Sequence, residues 1–194
     1  MPQLARYLQI NTARDATPTK YDYALVLNGE DIETTPLYGE VQPKKNVTLF
    51  GTHNEKDFGV VGNPPATRTF EVIPGSHHVL EASNRKLENV KAVLVVNAIC
   101  TAVPEPNFYA QVENAGKEIG PMFAQHDGLI VKHFLCSAWG DKDIGGGLYF
   151  FETKEQAEAY LASEFWDAIL VDTEWDKDSI TYELYSVNGY AMAA

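Results

Sequence analysis

GGGLYFFETKEQAEAYLASEF, residues Gly145 to Phe165, reads as a strand passing through a capped turn into a helix. Leu148 to Phe151 are aliphatic and aromatic, the residue types that pack on a pleated surface. Thr153 is followed three residues later by Gln156, a capping-box pattern that starts a helix. Ala157, Tyr160 and Leu161 then fall at i, i+3 and i+4 on one helical face. Such a helix covers one face of the sheet that holds the strand. The opposite face is also apolar, so whatever covers it decides where chemistry takes place.

Working outward, Lys91–Cys100 (KAVLVVNAIC) reads as a strand, Pro104 to Pro106 break it, and a helix follows from about Asn107 to Gln125. The next strands are Leu129–Trp139 and Gly147–Phe151, and Ile180–Val187 (ITYELYSV) closes the set by alternation. Strand, helix, strand, strand, helix, strand is the ferredoxin-like βαββαβ order, with both helices on one face of an antiparallel sheet. The first 88 residues have a different texture. ARYLQINTAR, YDYALVLNG, NVTLFGTHN, FGVVG, TRTFEVIPG and HHVLEA are short strands broken at Asn28-Gly29, Gly62-Asn63-Pro64-Pro65 and Pro74-Gly75, where Gly and Asn accept positive φ and Pro presets it. The expected architecture is α+β: a small all-β domain over 1–88, a sandwich or barrel, followed by a ferredoxin-like domain over 89–194. A four-stranded sheet with apolar residues on both faces exposes a large patch as a monomer, so the second domain is expected to form a homodimer through its open face.

Charge restricts the partners. Fifteen Lys and Arg against 27 Asp and Glu give a formal net charge of -12, which disfavours nucleic acid and anionic membranes, since both are bound mainly through basic side chains. The first residues lack an apolar signal core, and no run approaches the ~20 apolar residues that cross a bilayer. The expectation is a cytoplasmic protein. Cys100 and Cys136 are too few for a disulfide framework and lack metal-ligand spacing, so they read as small buried hydrophobes. No metal site is expected: His77-His78 point to opposite sides of a strand, and a site joining them to His53 needs long-range proximity. Asp172, Glu174, Asp176 and Asp178 lack the glycine and terminal glutamate of an EF-hand. Gly145-Gly146-Gly147 lacks the lysine and hydroxyl residue of a phosphate-binding loop.

The GGLYFFETKEQAEAYL motif, with HDGLIVKHFL upstream at Asp127-Gly128, resembles the YdhR-type monooxygenases, a branch of the dimeric α+β barrel superfamily that includes antibiotic-biosynthesis monooxygenases. The likeness covers about Val90 to Val187. It implies a homodimer whose two sheets close around a pocket. Relatives oxidise polycyclic aromatics with oxygen and no bound cofactor, cyclise polyketides, degrade haem or only bind ligands, so the fold leaves the chemistry open.

Strand parity selects the candidate site residues. Val93, Val95, Asn97 and Ile99 share one face, with Asn97 the single amide among apolar neighbours; it either orients a substrate oxygen or bonds nearby backbone. His133 shares parity with Leu135 and Trp139. It is either a general base, with an ordinary pKa of ~6.5, or a satisfied structural histidine. Lys132 lies on the opposite parity and is a weaker alternative. On the third strand the Leu148 and Phe150 pair suits the helix side, which leaves Tyr149 and Phe151 for the pocket. Tyr149 is either a hydrogen-bonding ligand group or plain core, and Trp139, beside the Gly140 to Gly147 loop, either caps the pocket or packs at its rim.

The expectation is thus a cofactor-independent monooxygenase acting on a small apolar, aromatic or polyketide-like molecule. His133 is the base, Asn97 and Tyr149 hold the oxyanion, and Trp139, Phe151, Val95 and Leu135 line the pocket. Two alternatives stay open: a non-catalytic ligand-binding or dimerising protein whose β domain recognises a partner, and a cyclase or isomerase using the same base without oxygen.

Overall fold

The computed structural model describes residues 7–11, 20–28, 47–52, 67–73, 78–79, 86–100, 108–139, 142–171 and 175–192. Among these are nine strands: β1 (Tyr7–Asn11), β2 (Tyr23–Asn28), β3 (Val47–Thr52), β4 (Thr67–Val72), β5 (His78–Val79), β6 (Ala92–Ile99), β7 (Leu129–Trp139), β8 (Lys142–Phe151) and β9 (Thr181–Met192). The described helices are α1 (Phe108–Phe123), between β6 and β7, and α2 (Lys154–Leu161) and α3 (Glu164–Val171), between β8 and β9.

The strands form one sheet in the order β4-β1-β3-β2-β9-β6-β8-β7-β5, antiparallel throughout. β4 also pairs with β7, through Glu71 opposite Cys136 and Val72 opposite Leu135. That pairing closes β1–β4 and β6–β9 into an eight-stranded barrel, and β5 continues along the same edge of β7. Closure leaves no free edge on these strands.

This overturns the expected fold class. The four strands of the second half do not form a ferredoxin-like sheet of their own preceded by a small all-β domain. They are one arc of a barrel whose other arc is β1–β4, and β2–β9 and β4–β7 join the arcs. The physical reason is the apolar open face identified in the sequence. That face is covered by strands of the same chain, which removes the ground on which a homodimer was expected.

Two cores result. Inside the barrel, Leu8, Ile10, Leu25, Leu27, Leu49 and Phe70 from the first arc meet Val93, Val95, Leu135, Leu148 and Phe150 from the second. Outside the second arc, Leu94, Val96, Phe134, Tyr149 and Phe151 pack under Phe123, Tyr160 and Trp166 of the helices. β6 is buried at seven successive positions because both of its faces are covered, whereas Val26 on the outside of β2 is exposed.

Local signals set the frame. Thr153 is the N-cap of α2, and its hydroxyl accepts from the Gln156 backbone N–H at 3.2 Å. The Gln156 side chain donates to Asp127 at 3.1 Å. Gly128 has φ +69, and a Cβ there would lie 1.9 Å from the Gln156 side-chain oxygen, so the Asp127-Gly128 turn and the start of α2 are built to fit each other. The glycine triplet lies inside β8, not in a loop before it: Gly146 pairs with Asn97 and Leu135, and Gly147 with Val96 and Phe134.

Candidate functional site

The candidate residues separate onto the two faces of the sheet. Asn97 and His133 lie on the inward face with Val95 and Leu135, which belong to the barrel core. Both are buried. The His133 ring stands edge-on to Phe150 at 5.8 Å between centroids. Neither polar atom of the Asn97 amide has a hydrogen-bond partner among the described residues. The inward face also carries a buried ion pair: both guanidinium nitrogens Nη1 and Nη2 of Arg68 donate to the Glu183 carboxylate, at 2.7 and 2.6 Å. The Tyr185 hydroxyl donates to the same carboxylate, and burial with that carboxylate holds its pKa well above the ordinary tyrosine value.

Tyr149 and Phe151 face outward, towards the helices, so the expected grouping of Asn97, His133 and Tyr149 around one space is not formed. The pairing of Leu148 and Phe150 with the helix side is reversed, because both faces of β8 are apolar and hydrophobicity alone cannot orient the strand. A register shift between Leu129 and Val131 places Ile130 and Val131 together in the inner core, with Leu129 outside. Trp139 ends β7; its side chain, His53 and His77 lie outside the described residues. Asp176 serves a local role, its carboxylate accepting from the Asp178 backbone N–H at 3.1 Å. The described residues contain no cluster of metal-ligating side chains.

What the outward face assembles is a closely packed aromatic chamber, filled by its own side chains, around Lys132. This lysine is 2% exposed. Its Nζ lies 3.8 Å from the Tyr149 ring centroid, 4.4 Å from that of Phe134 and 5.3 Å from that of Phe123. Gly147 provides the niche: a Cβ at that position would lie 1.7 Å from Nζ. Phe123 on α1 roofs the chamber and meets Phe134, Tyr149 and Phe165 edge-on at 5.9, 5.8 and 5.2 Å. On the outer side stand Tyr160, 5.2 Å from Tyr149, and His126, 5.0 Å from Tyr160 and 4.6 Å from Phe165.

The electrostatics follow from burial. Three ring faces attract an ammonium, at up to about 2 kcal/mol each when desolvated, but removing that charge from water costs several kcal/mol, and no described carboxylate forms an ion pair with it. Burial wins and moves the Lys132 pKa well below the usual lysine value. Burial likewise lowers that of His126 and raises those of Tyr149 and Tyr160. The Cys136 thiol is pushed up to about 12, mainly by burial, so it remains an inert thiol. The chamber therefore presents an amine biased towards its neutral, proton-accepting form beside two hydroxyls biased towards their neutral, donating form.

Strand parity alone gives Lys132 too little weight, and it does not reach Phe123, His126 and Tyr160, which come from α1, the turn after it and α2. One signal points to the lysine: it is the single ammonium in a mostly apolar strand, and lysine is almost never fully buried without a reason.

An antiparallel barrel closed within one chain, with helices packed on one arc, defines the class. No protein-family model matches the chain, and no curated protein does. Solved structures share its fold. An uncharacterized ferredoxin-fold protein from Listeria monocytogenes related to antibiotic-biosynthesis monooxygenases is 8% identical, with a TM-score of 0.55 over 97% of each chain. An anthrone oxidase-like protein is 13% identical, with a TM-score of 0.55 over 97% of this chain and 94% of its own. A major regulator of staphylococcal pathogenesis is 13% identical, with a TM-score of 0.52 over 91% of this chain and 97% of its own. The likeness spans both halves rather than the second alone. At these identities it is a likeness of fold, and the third structure carries that fold in a regulator.

Proposed function

We propose that the chain is a monooxygenase-like enzyme that oxidises a small, electron-rich aromatic molecule in the chamber between the sheet and α1, without a bound cofactor. The observation that carries this reading is Lys132, a fully buried amine held against three aromatic rings. The likeness of fold to proteins described as monooxygenase-related and anthrone oxidase-like, and the motif at Asp127-Gly128 and Gly146 to Leu161, supply the reaction class.

The rings of Phe123, Phe134 and Tyr149 stack a flat apolar substrate. Lys132 Nζ accepts a proton from its activated methylene, and the hydroxyls of Tyr149 and Tyr160 stabilise the resulting enolate oxygen. The carbanion passes electrons to dioxygen. The methylene carbon loses both hydrogens and gains one oxygen atom as a carbonyl, and the second oxygen atom leaves as water. Lys132 replaces His133 as the base because His133 sits in the packed barrel interior, across the sheet from the chamber. The half-buried His126, beside Tyr160 and Phe165, is suited to pass the proton outward.

The test is oxygen uptake with anthrone as probe, corrected for uncatalysed oxidation, in the wild type and Lys132→Met. Uptake above background that falls at least 100-fold in the variant supports the reading; a wild type indistinguishable from buffer with anthrone and with a panel of phenols refutes it. Product formed without oxygen uptake would instead establish the cyclase or isomerase alternative. Phe123 is 1% exposed and fills the space over Lys132, so its ring must move aside for a substrate to enter and stack there.

A further inference from the structure

The two arcs of the barrel repeat one strand order. β4-β1-β3-β2 and β9-β6-β8-β7 are each the fourth, first, third and second strand of their own half. The register turns this repeat into a residue-by-residue correspondence. In the first arc Leu8 stands opposite Gly51 and Phe70, and Ile10 opposite Leu49 and Arg68. In the second, Val93 stands opposite Phe150 and Tyr185, and Val95 opposite Leu148 and Glu183. Laying Leu8 on Val93 places Ile10 on Val95, Phe70 on Tyr185 and Arg68 on Glu183. Through β3 and β8 it also places Leu27 on Leu135, and along β4 and β9 it places Val72 on Val187.

The seams between the arcs obey the same correspondence. Leu27 pairs with Val187 at one seam, and Leu135 with Val72 at the other. These are the same pair of corresponding positions. The barrel therefore has an approximate two-fold axis relating its halves.

Arg68 and Glu183 occupy corresponding positions, on strands four places apart in either direction around the ring, and they touch across the interior at 2.6 Å. Side chains that correspond under a two-fold axis and touch each other lie on that axis. In a symmetric barrel made from two identical halves, a residue there meets its own copy. Two second halves would bring Glu183 against Glu183, and two first halves Arg68 against Arg68. Like charges in contact in a buried site are strongly disfavoured. The surrounding residues are differentiated in the same sense: Tyr185 gives the carboxylate a hydroxyl, and its counterpart Phe70 has none to offer the guanidinium.

We infer that the Arg68–Glu183 pair is a pairing-specificity device: it makes the first half of the chain the required partner of the second and excludes barrels built from two like halves. A buried ion pair is weak as a stabiliser against apolar residues of similar size, but costly to break from one side; that is the behaviour such a device needs. The inference is independent of any activity in the Lys132 chamber.

The test uses the full chain. Arg68→Glu and Glu183→Arg each place like charges on the axis and are expected to lower the melting temperature by about 6 to 20 °C, while the double swap returns it to within about 3 °C of wild type. A double swap as unstable as the single variants overturns the inference. If the single reversals fail to fold, Arg68→Gln and Glu183→Gln serve instead: the double Gln variant should lose less than the sum of the two, and additivity is the overturning result. Specificity is read from Arg68→Met/Glu183→Leu refolded from urea at high protein concentration and weighed by native mass spectrometry. The wild type is expected to return as one species, and the apolar variant as that species plus one containing twice as many chains. Complete return of the apolar variant to the wild-type species overturns the specificity role.

Discussion

Replacing Lys132 by Met tests the buried amine without reference to any substrate. Methionine is close in length and flexible, and it fills the same slot between Tyr149, Phe134 and Phe123 without a polar head. In the unfolded chain Lys132 takes the ordinary lysine pKa of ~10.4; in the fold, burial holds it well below the usual value. Between those two values the unfolded chain binds the proton and the folded chain does not. The stability of the wild type must therefore rise with pH through that window, by about 1.4 kcal/mol per pH unit. The penalty is full and constant below the folded-state value and vanishes above ~10.4. Lys132→Met lacks this contribution, so it should be the more stable protein at pH 7, and its advantage should shrink by about 1.4 kcal/mol per pH unit across the window. For a chain of this length each kcal/mol corresponds to roughly 2–4 °C in Tm. Urea unfolding followed by tryptophan fluorescence at half-unit steps from pH 7 to 10 measures the difference, and titrations common to both proteins cancel from it. A wild type and variant whose difference stays flat over that range would refute the reasoning. A variant less stable at pH 7 would mean that the three ring faces outweigh the loss of water around the ammonium.

Gly147→Ala puts a methyl 1.7 Å from Lys132 Nζ and 2.9 Å from the Tyr149 ring. It should cost about 1–3 kcal/mol by overpacking, and the loss should be smaller in the Lys132→Ala background; equal losses in the two backgrounds would place the clash elsewhere. Asn97→Leu removes a buried amide without a described partner at similar volume, and should leave the protein as stable or raise stability by up to about 1–3 kcal/mol; a clear fall in the urea midpoint would show that the amide is satisfied in solution. Under the approximate two-fold axis, Lys132 corresponds to Ala24 and Gly147 to Thr48, so the first half carries neither the amine nor its niche. Calorimetric titration with anthrone is therefore expected to give about one site per chain, and two equivalent sites would contradict the asymmetry.

Much of the scaffold was legible along the chain. β7 spans the residues that its alternation marked, α2 begins at the Thr153 cap, and the fit of Gln156 against Asp127-Gly128 gives a physical reason for the motif that carried the resemblance. Parity along β7 correctly set His133 and Lys132 on opposite faces, because two-residue alternation is a property of the strand itself. Which face was the interior was not legible on β8: Leu148, Tyr149, Phe150 and Phe151 are apolar on both sides, so periodicity defined two faces and left both as candidates for the core.

The local elements are written along the chain, since caps, turn residues and alternation act between neighbours. Tertiary structure alone decided how the halves combine. The seams that close the barrel, Leu27 with Val187 and Leu135 with Val72, join residues far apart along the chain, as does the contact of Arg68 with Glu183. No local pattern encodes such pairs, because they are selected by which apolar faces can be buried together once all eight strands are present. The same selection put Lys132 under the helices and His133 inside the barrel, moving the candidate chemistry from the space between two sheets to the space beneath α1.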